Sequence, residues 1–172
     1  AGKPSAERDP AAASLVLEPM GEGDYAAYRG ACVEELARAL AESQGLSLDA
    51  AAARAAAEQD ELLPAGEATP GQRLFVARLA PGGKAVGRAW FGEVPGGEEP
   101  GTAFLFHLEV APAFRGRGLG AALLDGAEAR ARALGFARMR LYVLSSNAAA
   151  RALYARAGFR RLRGDGKGEV LR

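Results

Sequence analysis

Residues 114–124 read FRGRGLGAALL. Gly116, Gly118 and Gly120 alternate, Arg115 and Arg117 flank the first glycine, and an apolar, alanine-rich segment follows at once. This pattern has a direct chemical use. The first turn of a helix leaves backbone N–H groups without partners and carries partial positive charge. An anion placed there is stabilised by both effects. Glycine lets the backbone approach the anion closely and adopt positive φ, and the two arginines add charge on either side. The simplest ligand is a phosphate or pyrophosphate. The spacing excludes two familiar phosphate loops. GxGxxG fails because position 121 is alanine, and no GxxxxGK followed by Ser or Thr occurs. What remains is Arg115-x-x-Gly118-x-Gly120. For this loop in isolation, a glycine-softened turn with solvated arginines is the competing reading.

The elements that would position the loop can be read from periodicity. The segment TAFLFHLEVA (102–111) is apolar on both alternations, as a central strand is. Phe104, Phe106, Leu108 and Val110 share one alternation; Leu105, His107 and Glu109 share the other. The helix after the loop runs over 119–134, with Leu119, Leu123, Ala127, Ala131 and Leu134 as its buried stripe. A strand over 137–144 follows, then a helix over 147–158 capped at SSN and closed by Gly158. Upstream, a strand over 15–20 precedes helices over 23–40, with Asp24 as its cap, and 47–63, with Ser47 or Asp49 at its start. The stretches 73–79 and 84–94 pair as a hairpin across a PGG turn. Strands begin at 159 and at 168. Residues 1–13 read as a disordered arm ahead of one domain over 14–172.

Bulk properties narrow the function classes. The formal net charge of +1 offers no electrostatic case for nucleic acid or a membrane surface. No apolar run approaches the about 20 residues of a bilayer span, and the first residues contain no hydrophobic signal core. One cysteine, Cys32, excludes an internal disulfide and fits a cytoplasmic location. One Cys and one His cannot supply an ordinary zinc site, so no metal is expected.

Downstream of the loop stands LYVLSSNAAARALYARAGF (141–159). With Val110, Pro112, Arg115, Gly118, Gly120, Asn147, Leu153, Tyr154, Gly158 and Phe159 in this order and spacing, the chain resembles the GNAT superfamily of N-acetyltransferases. The resemblance is specific over 104–159. It implies a mixed α/β (α+β) fold: a central, mostly antiparallel sheet, splayed at the strand near Val110 and flanked by helices. It implies acetyl-CoA as cosubstrate and direct acetyl transfer to an amine. The backbone N–H groups of Arg117, Gly118, Leu119, Gly120 and Ala121 would take the pyrophosphate, with Arg115 and Gly116 shaping the approach. Leu108 and Val110 would pair with the pantetheine arm as with an added strand, and the Val110 N–H would polarise the thioester carbonyl. Asn147 would contact the cofactor besides capping its helix.

The resemblance also implies that Tyr154 is the acid that protonates the leaving thiolate. A phenol with a pKa of about 10 is protonated at neutral pH and able to donate. The alkylammonium of an acceptor must lose a proton before it attacks. Glu109, a carboxylate in an apolar strand beside Val110, is the first candidate for that base; solvent exposure or pairing with an arginine is its plainer reading. His107, the single histidine, is the second candidate, on the same strand face as Glu109 unless a bulge intervenes. Tyr142 stands where some relatives that acetylate protein N-termini carry glutamate. Trp90 is a core residue or a wall of the acceptor site.

The acceptor that the resemblance implies is a small-molecule or peptide amine, and its site would be built from the two N-terminal helices, the 64–71 loop and the C-terminal strands. Glu34, Glu35, Glu58, Asp60 and Glu61 make that first half locally acidic, although a solvated helix face explains such a run more simply. A homodimer is an open expectation. The alternative function is a non-catalytic acyl-CoA-binding sensor or scaffold module.

Overall fold

Each element expected from periodicity is present, with ends moved by a few residues. The computed structural model describes residues 14–94 and 99–171; the arm expected over 1–13 lies outside the described residues. Strand β1 (Val16–Pro19) is followed by helices α1 (Glu22–Gln44) and α2 (Leu48–Leu62), then by β2 (Gln72–Arg78), β3 (Ala85–Gly92) and β4 (Thr102–Val110). Helix α3 (Leu119–Ala133), β5 (Arg138–Leu144), α4 (Ala148–Arg156), β6 (Arg161–Gly164) and β7 (Gly168–Leu171) complete the order. Single 3-10 turns stand at Gly66–Ala68 and Pro112–Phe114. Among the described residues no helix is long and apolar enough to cross a membrane.

Chain contacts divide the described residues into two compact units, 20–72 and 14–19 with 73–171. In the first, α1 and α2 pack through Ala37, Leu40, Ala51 and Ala55, with Val33 and Leu36 beside them. Ser47 caps α2 by accepting from the Ala50 N–H. Asp24 does not cap α1: Gly21 holds the cap position without a side-chain bond. Asp24 instead lies in the first turn, where a carboxylate complements the helix dipole.

The second unit is built on a seven-stranded sheet in the order β1-β2-β3-β4-β5-β7-β6. Strand pairs β1–β2, β3–β4, β5–β7 and β6–β7 are antiparallel, and β4–β5 is parallel. That one parallel pair follows from connectivity, since α3 crosses over between β4 and β5. Leu119, Leu123, Leu124 and Ala127 of α3 pack on Val86, Phe91, Ala103, Leu105 and Leu141 from one face of the sheet. This apolar layer holds the loop between β4 and α3 in place.

One detail of β4 departs from the simple alternation. Trp90 of β3 pairs with His107, but Phe91 pairs with Leu105, so Phe106 is an extra residue on β4. The bulge switches the strand's faces. Leu108 and Val110 pack against the core that holds Ala103 and Leu105. Phe104 and Phe106 lie on the opposite face with Trp90, whose ring stacks on Phe106 at 4.5 Å. His107 and Glu109, cross-strand partners of Trp90 and Arg88, share that opposite face.

Candidate functional site

Beyond Leu105, β4 leaves its parallel neighbour. The β4–β5 partners run only from Thr102–Arg138 to Leu105–Leu141, while β4 continues to Val110. From Leu141 onward β5 pairs with β7 on its other side. The sheet is therefore splayed over residues 106–110 of β4, as expected near Val110. The hydrogen-bond pattern says which backbone groups face the gap. The Ala111 N–H donates to the Val86 carbonyl at 2.8 Å. In an antiparallel ladder, alternate residues bond to the same neighbour. Residues 107, 109 and 111 are thus turned to β3, and the N–H and C=O groups of Leu108 and Val110 are turned to the gap. The Val110 carbonyl is taken by the Arg115 Nε at 3.0 Å. The Val110 N–H and both groups of Leu108 remain as an edge for an extended ligand.

The 3-10 turn Pro112–Phe114 carries the chain from this edge into the glycine loop. Gly116 has φ +77° and Gly118 has φ +75°, the left-handed region that side chains disfavour. A Cβ at Gly120 would stand 3.5 Å from Leu153 Cδ2, ordinary contact, and Gly120 has no positive φ. Two of the three glycines therefore serve the turn, and the third is not demanded by the fold. The first bond of α3 runs from the Ala122 N–H to the Gly118 carbonyl. The amides of Leu119, Gly120 and Ala121 precede it and lack helical acceptors. Both loop arginines fold back on the turn. Arg117 donates to the Ala113 carbonyl at 3.4 Å and covers the Phe114 ring at 5.6 Å. Lys84, from the β2–β3 turn, stands 5.1 Å over the same ring. It adds a third cation beside the loop, and no local pattern in the sequence marked it.

Helix α4 borders the loop through that Leu153. Asn147 caps α4, its Oδ1 accepting from the Ala150 N–H at 3.1 Å. Tyr154 is 8% exposed and packs in the main core, its ring 5.7 Å from Phe159. Burial pushes its phenol above the ordinary value, because a phenolate loses solvation there.

Glu109 lies in a charged cluster, not in apolar surroundings. Its carboxylate stands 3.7 Å from Arg88 Nε, 3.9 Å from His107 Nε2 and 4.0 Å from Arg115 Nη2. Glu109, His107 and Arg88 are each about one-third exposed on their side chains. Arg88 was not legible as a site residue, since only the β3–β4 register brings it opposite Glu109. On β5, the Tyr142 hydroxyl donates to the Asp165 carboxylate at 3.3 Å. In the helical unit, Glu34, Glu58 and Asp60 are paired with Arg38, Arg54 and Arg29, which cancels much of the acidity read from that half. Among the described residues no group of three or more His, Cys, Asp or Glu side chains could hold a metal ion.

Comparisons with known proteins bear on this arrangement. The acetyltransferase (GNAT) family profile matches residues 34–159. YdgE of Bacillus subtilis, described as an uncharacterized N-acetyltransferase, is 27% identical over 146 residues, covering 85% of this chain and 92% of its own. Mycothiol acetyltransferase of Beutenbergia cavernae is 50% identical over 58 residues, 34% of this chain; the match spans only 20% of that protein's length. The crystal structure of YycN from Bacillus subtilis superposes with a TM-score of 0.76 at 25% identity, over 88% of this chain and 95% of YycN.

Proposed function

The chain belongs to the acetyltransferase (GNAT) family, and on that premise we propose that it moves an acetyl group from acetyl-CoA directly to a primary amine of a small molecule or peptide. One observation carries this reading. The unpaired edge of Leu108 and Val110 runs straight into a loop and helix turn whose amides also lack backbone acceptors. An extended ligand ending in a pyrophosphate satisfies both sets at once.

Each group then has a role. The amides of Arg117 to Ala121 bind the pyrophosphate, and Gly120 leaves room for it. Arg115 holds the Val110 carbonyl, so the adjacent N–H is fixed toward the thioester oxygen and stabilises the charge that grows on it. Glu109, or His107 beside it, accepts a proton from the incoming ammonium. The amine nitrogen bonds to the acetyl carbon and the carbon–sulfur bond breaks. Tyr154 gives its proton to the departing thiolate, and the proton still carried by the acylated nitrogen returns to the phenolate, leaving a neutral amide and the CoA thiol. The raised pKa of the phenol keeps it protonated through neutral pH.

The test is calorimetric titration with acetyl-CoA and with S-acetyl-pantetheine, which lacks the pyrophosphate, followed by thiol release with a panel of amines. Saturable one-to-one binding that needs the pyrophosphate, and amine-dependent release of CoA thiol, are expected. Equal binding of both compounds overturns the loop assignment. Binding without thiol release for every amine overturns the transferase reading.

A further inference from the structure

The face of the sheet that carries Glu109 also carries a cavity of about 570 Å3. Phe104 of β4 and its β5 partner Arg140 line it, with Val170 of β7 and its β6 partner Arg163. The strand register sets the distance between this cavity and the candidate base. Phe104 pairs with Gly92 and Glu109 with Arg88, so the two positions are four residues of β3 apart. At about 3.3 Å per residue, that is about 13 Å along the strand.

The path between them is apolar. Trp90, the partner of His107, stacks its ring on Phe106 at 4.5 Å, and the Phe104 ring lies 5.0 Å from that of Phe106. Phe104 and Phe106 are only half-buried, so both keep open surface along this path. Charge is distributed unevenly between the two ends. At the near end stands one carboxylate, Glu109, which faces Arg88, His107 and Arg115. At the far end the charged lining cancels: Glu93 and Glu99 stand with Arg140 and Arg163, and Glu99 accepts from Arg140 Nη2 at 2.6 Å. A lining without net charge, walled by Phe104, Phe136 and Val170, favours an uncharged apolar group. It disfavours a second ammonium, because no net negative charge among the described lining residues offsets the loss of its hydration.

We propose that the acceptor is an elongated primary monoamine, with its nitrogen at Glu109, an apolar chain over Phe106 and Phe104, and an uncharged end in the cavity. The assignment rests on acetyl transfer to an amine at Val110 and names the class of amine. It separates such a monoamine from compact amines, which do not reach the cavity, and from polyamines, which carry charge into it.

The test is CoA thiol release at saturating acetyl-CoA with butylamine, hexylamine, octylamine and 1,8-diaminooctane, read as kcat/KM. The monoamines share one reacting group, so their differences report the chain. A buried methylene is worth up to about fourfold, and kcat/KM is expected to rise at least about tenfold from butylamine to octylamine. The diamine, equal in length but charged at both ends, falls at least about tenfold below octylamine. Two variants place the effect in the cavity. Phe104→Ala removes apolar floor, and Val170→Asp sets a carboxylate against the end of the chain. Each lowers the octylamine-to-butylamine ratio by at least about fivefold, and Val170→Asp raises the diamine relative to octylamine. Acetyl-CoA titration of each variant reports that it is folded. A profile flat or falling with chain length, a diamine as good as octylamine, or a ratio unchanged in both variants overturns the proposal and leaves acetyl transfer standing. Thiol release with none of the amines overturns the transferase reading and this assignment with it.

Discussion

Arg115 reaches back five residues to hold the Val110 carbonyl with its Nε at 3.0 Å. The contact ties the start of the glycine loop to the last residue of β4. It also occupies a backbone acceptor on the side where β5 has left, so the Val110 amide is the group presented to a ligand.

Arg115→Met removes this tether. The side chain is 61% exposed, so the bond is worth about 1 kcal/mol at most, and acetyl-CoA affinity is expected to fall by about fivefold. Thermal stability is expected to stay close to the parent's. Calorimetry and a melting curve check this, and an unchanged affinity assigns the bond to loop structure alone.

The loop glycines are expected to separate by cause. Gly118→Ala places a side chain at φ +75° and destabilises the protein by about 1–2 kcal/mol. Gly120→Ala meets only ordinary contact with Leu153, so denaturant unfolding is expected to be unchanged or slightly more resistant. Gly118→Val combines strain with bulk at the anion site and is expected to weaken acetyl-CoA binding in addition. Equal stability loss at 118 and 120 contradicts the assignment.

Tyr154→Phe keeps the packed ring and removes the proton. Turnover is expected to fall by about 100-fold or more with acetyl-CoA affinity nearly intact, the range of a lost general acid. A stability signature accompanies it. The unfolded chain releases the phenol proton near pH ~10, and the folded chain, where burial raises the pKa, releases it only at higher pH. The native state then binds more protons, so stability falls as the pH rises past about 10. Urea unfolding of Tyr154→Phe is expected to lack that share of the alkaline loss. Tyr25 and Tyr142, whose phenols are also raised, keep theirs.

Glu109→Gln tests the base. With the carboxylate gone, Arg88, His107 and Arg115 keep their positions on the face or loop but lose the shared anion. A kcat/KM loss of about 100-fold or more is expected, with His107→Gln milder. The reverse ranking assigns the base to His107, and full activity in both variants assigns it to water.

The β6–β7 turn has an acid-sensitive pin. Asp165 accepts from the Lys167 and Gly168 amides at 2.9 and 2.8 Å. Those bonds, the Gly168 one first, hold its carboxyl below the ordinary value. The stabilisation is complete above the unfolded pKa of about 3.9 and is lost as the pH falls through the lower folded value. Hydrogen exchange at the Gly168 amide is expected to quicken in Asp165→Ala at neutral pH. Identical protection in both proteins overturns the pin.

Much of the site was legible because its causes are local. Gly116, Gly118, Gly120 and the arginines sit within one turn of chain, and a strand followed by a glycine loop and a helix is written in consecutive residues. The caps Ser47 and Asn147 and the stripe Leu119, Leu123, Ala127 and Ala131 of α3 follow from short-range bonding and the 3.6-residue period, so they are present as read; Leu134, read as the last residue of that stripe, stands past the helix end and is exposed. The Asp24 cap failed for an equally local reason, since several residues near a helix start can serve and Gly21 holds the place.

The face that each residue of β4 presents was another matter. A period of two assigns faces only while the strand stays in register, and one extra residue reverses every position beyond it. The sequence determined that His107 and Glu109 share a face. Only the pairing with β3, with its bulge at Phe106, decided that this face is the one shared with Phe104 and Trp90. The same long-range pairing brought Arg88 to Glu109 and Arg140 to Phe104. Such neighbours are set by cross-strand register, which depends on how the whole sheet buries its apolar face, and no window of consecutive residues encodes it.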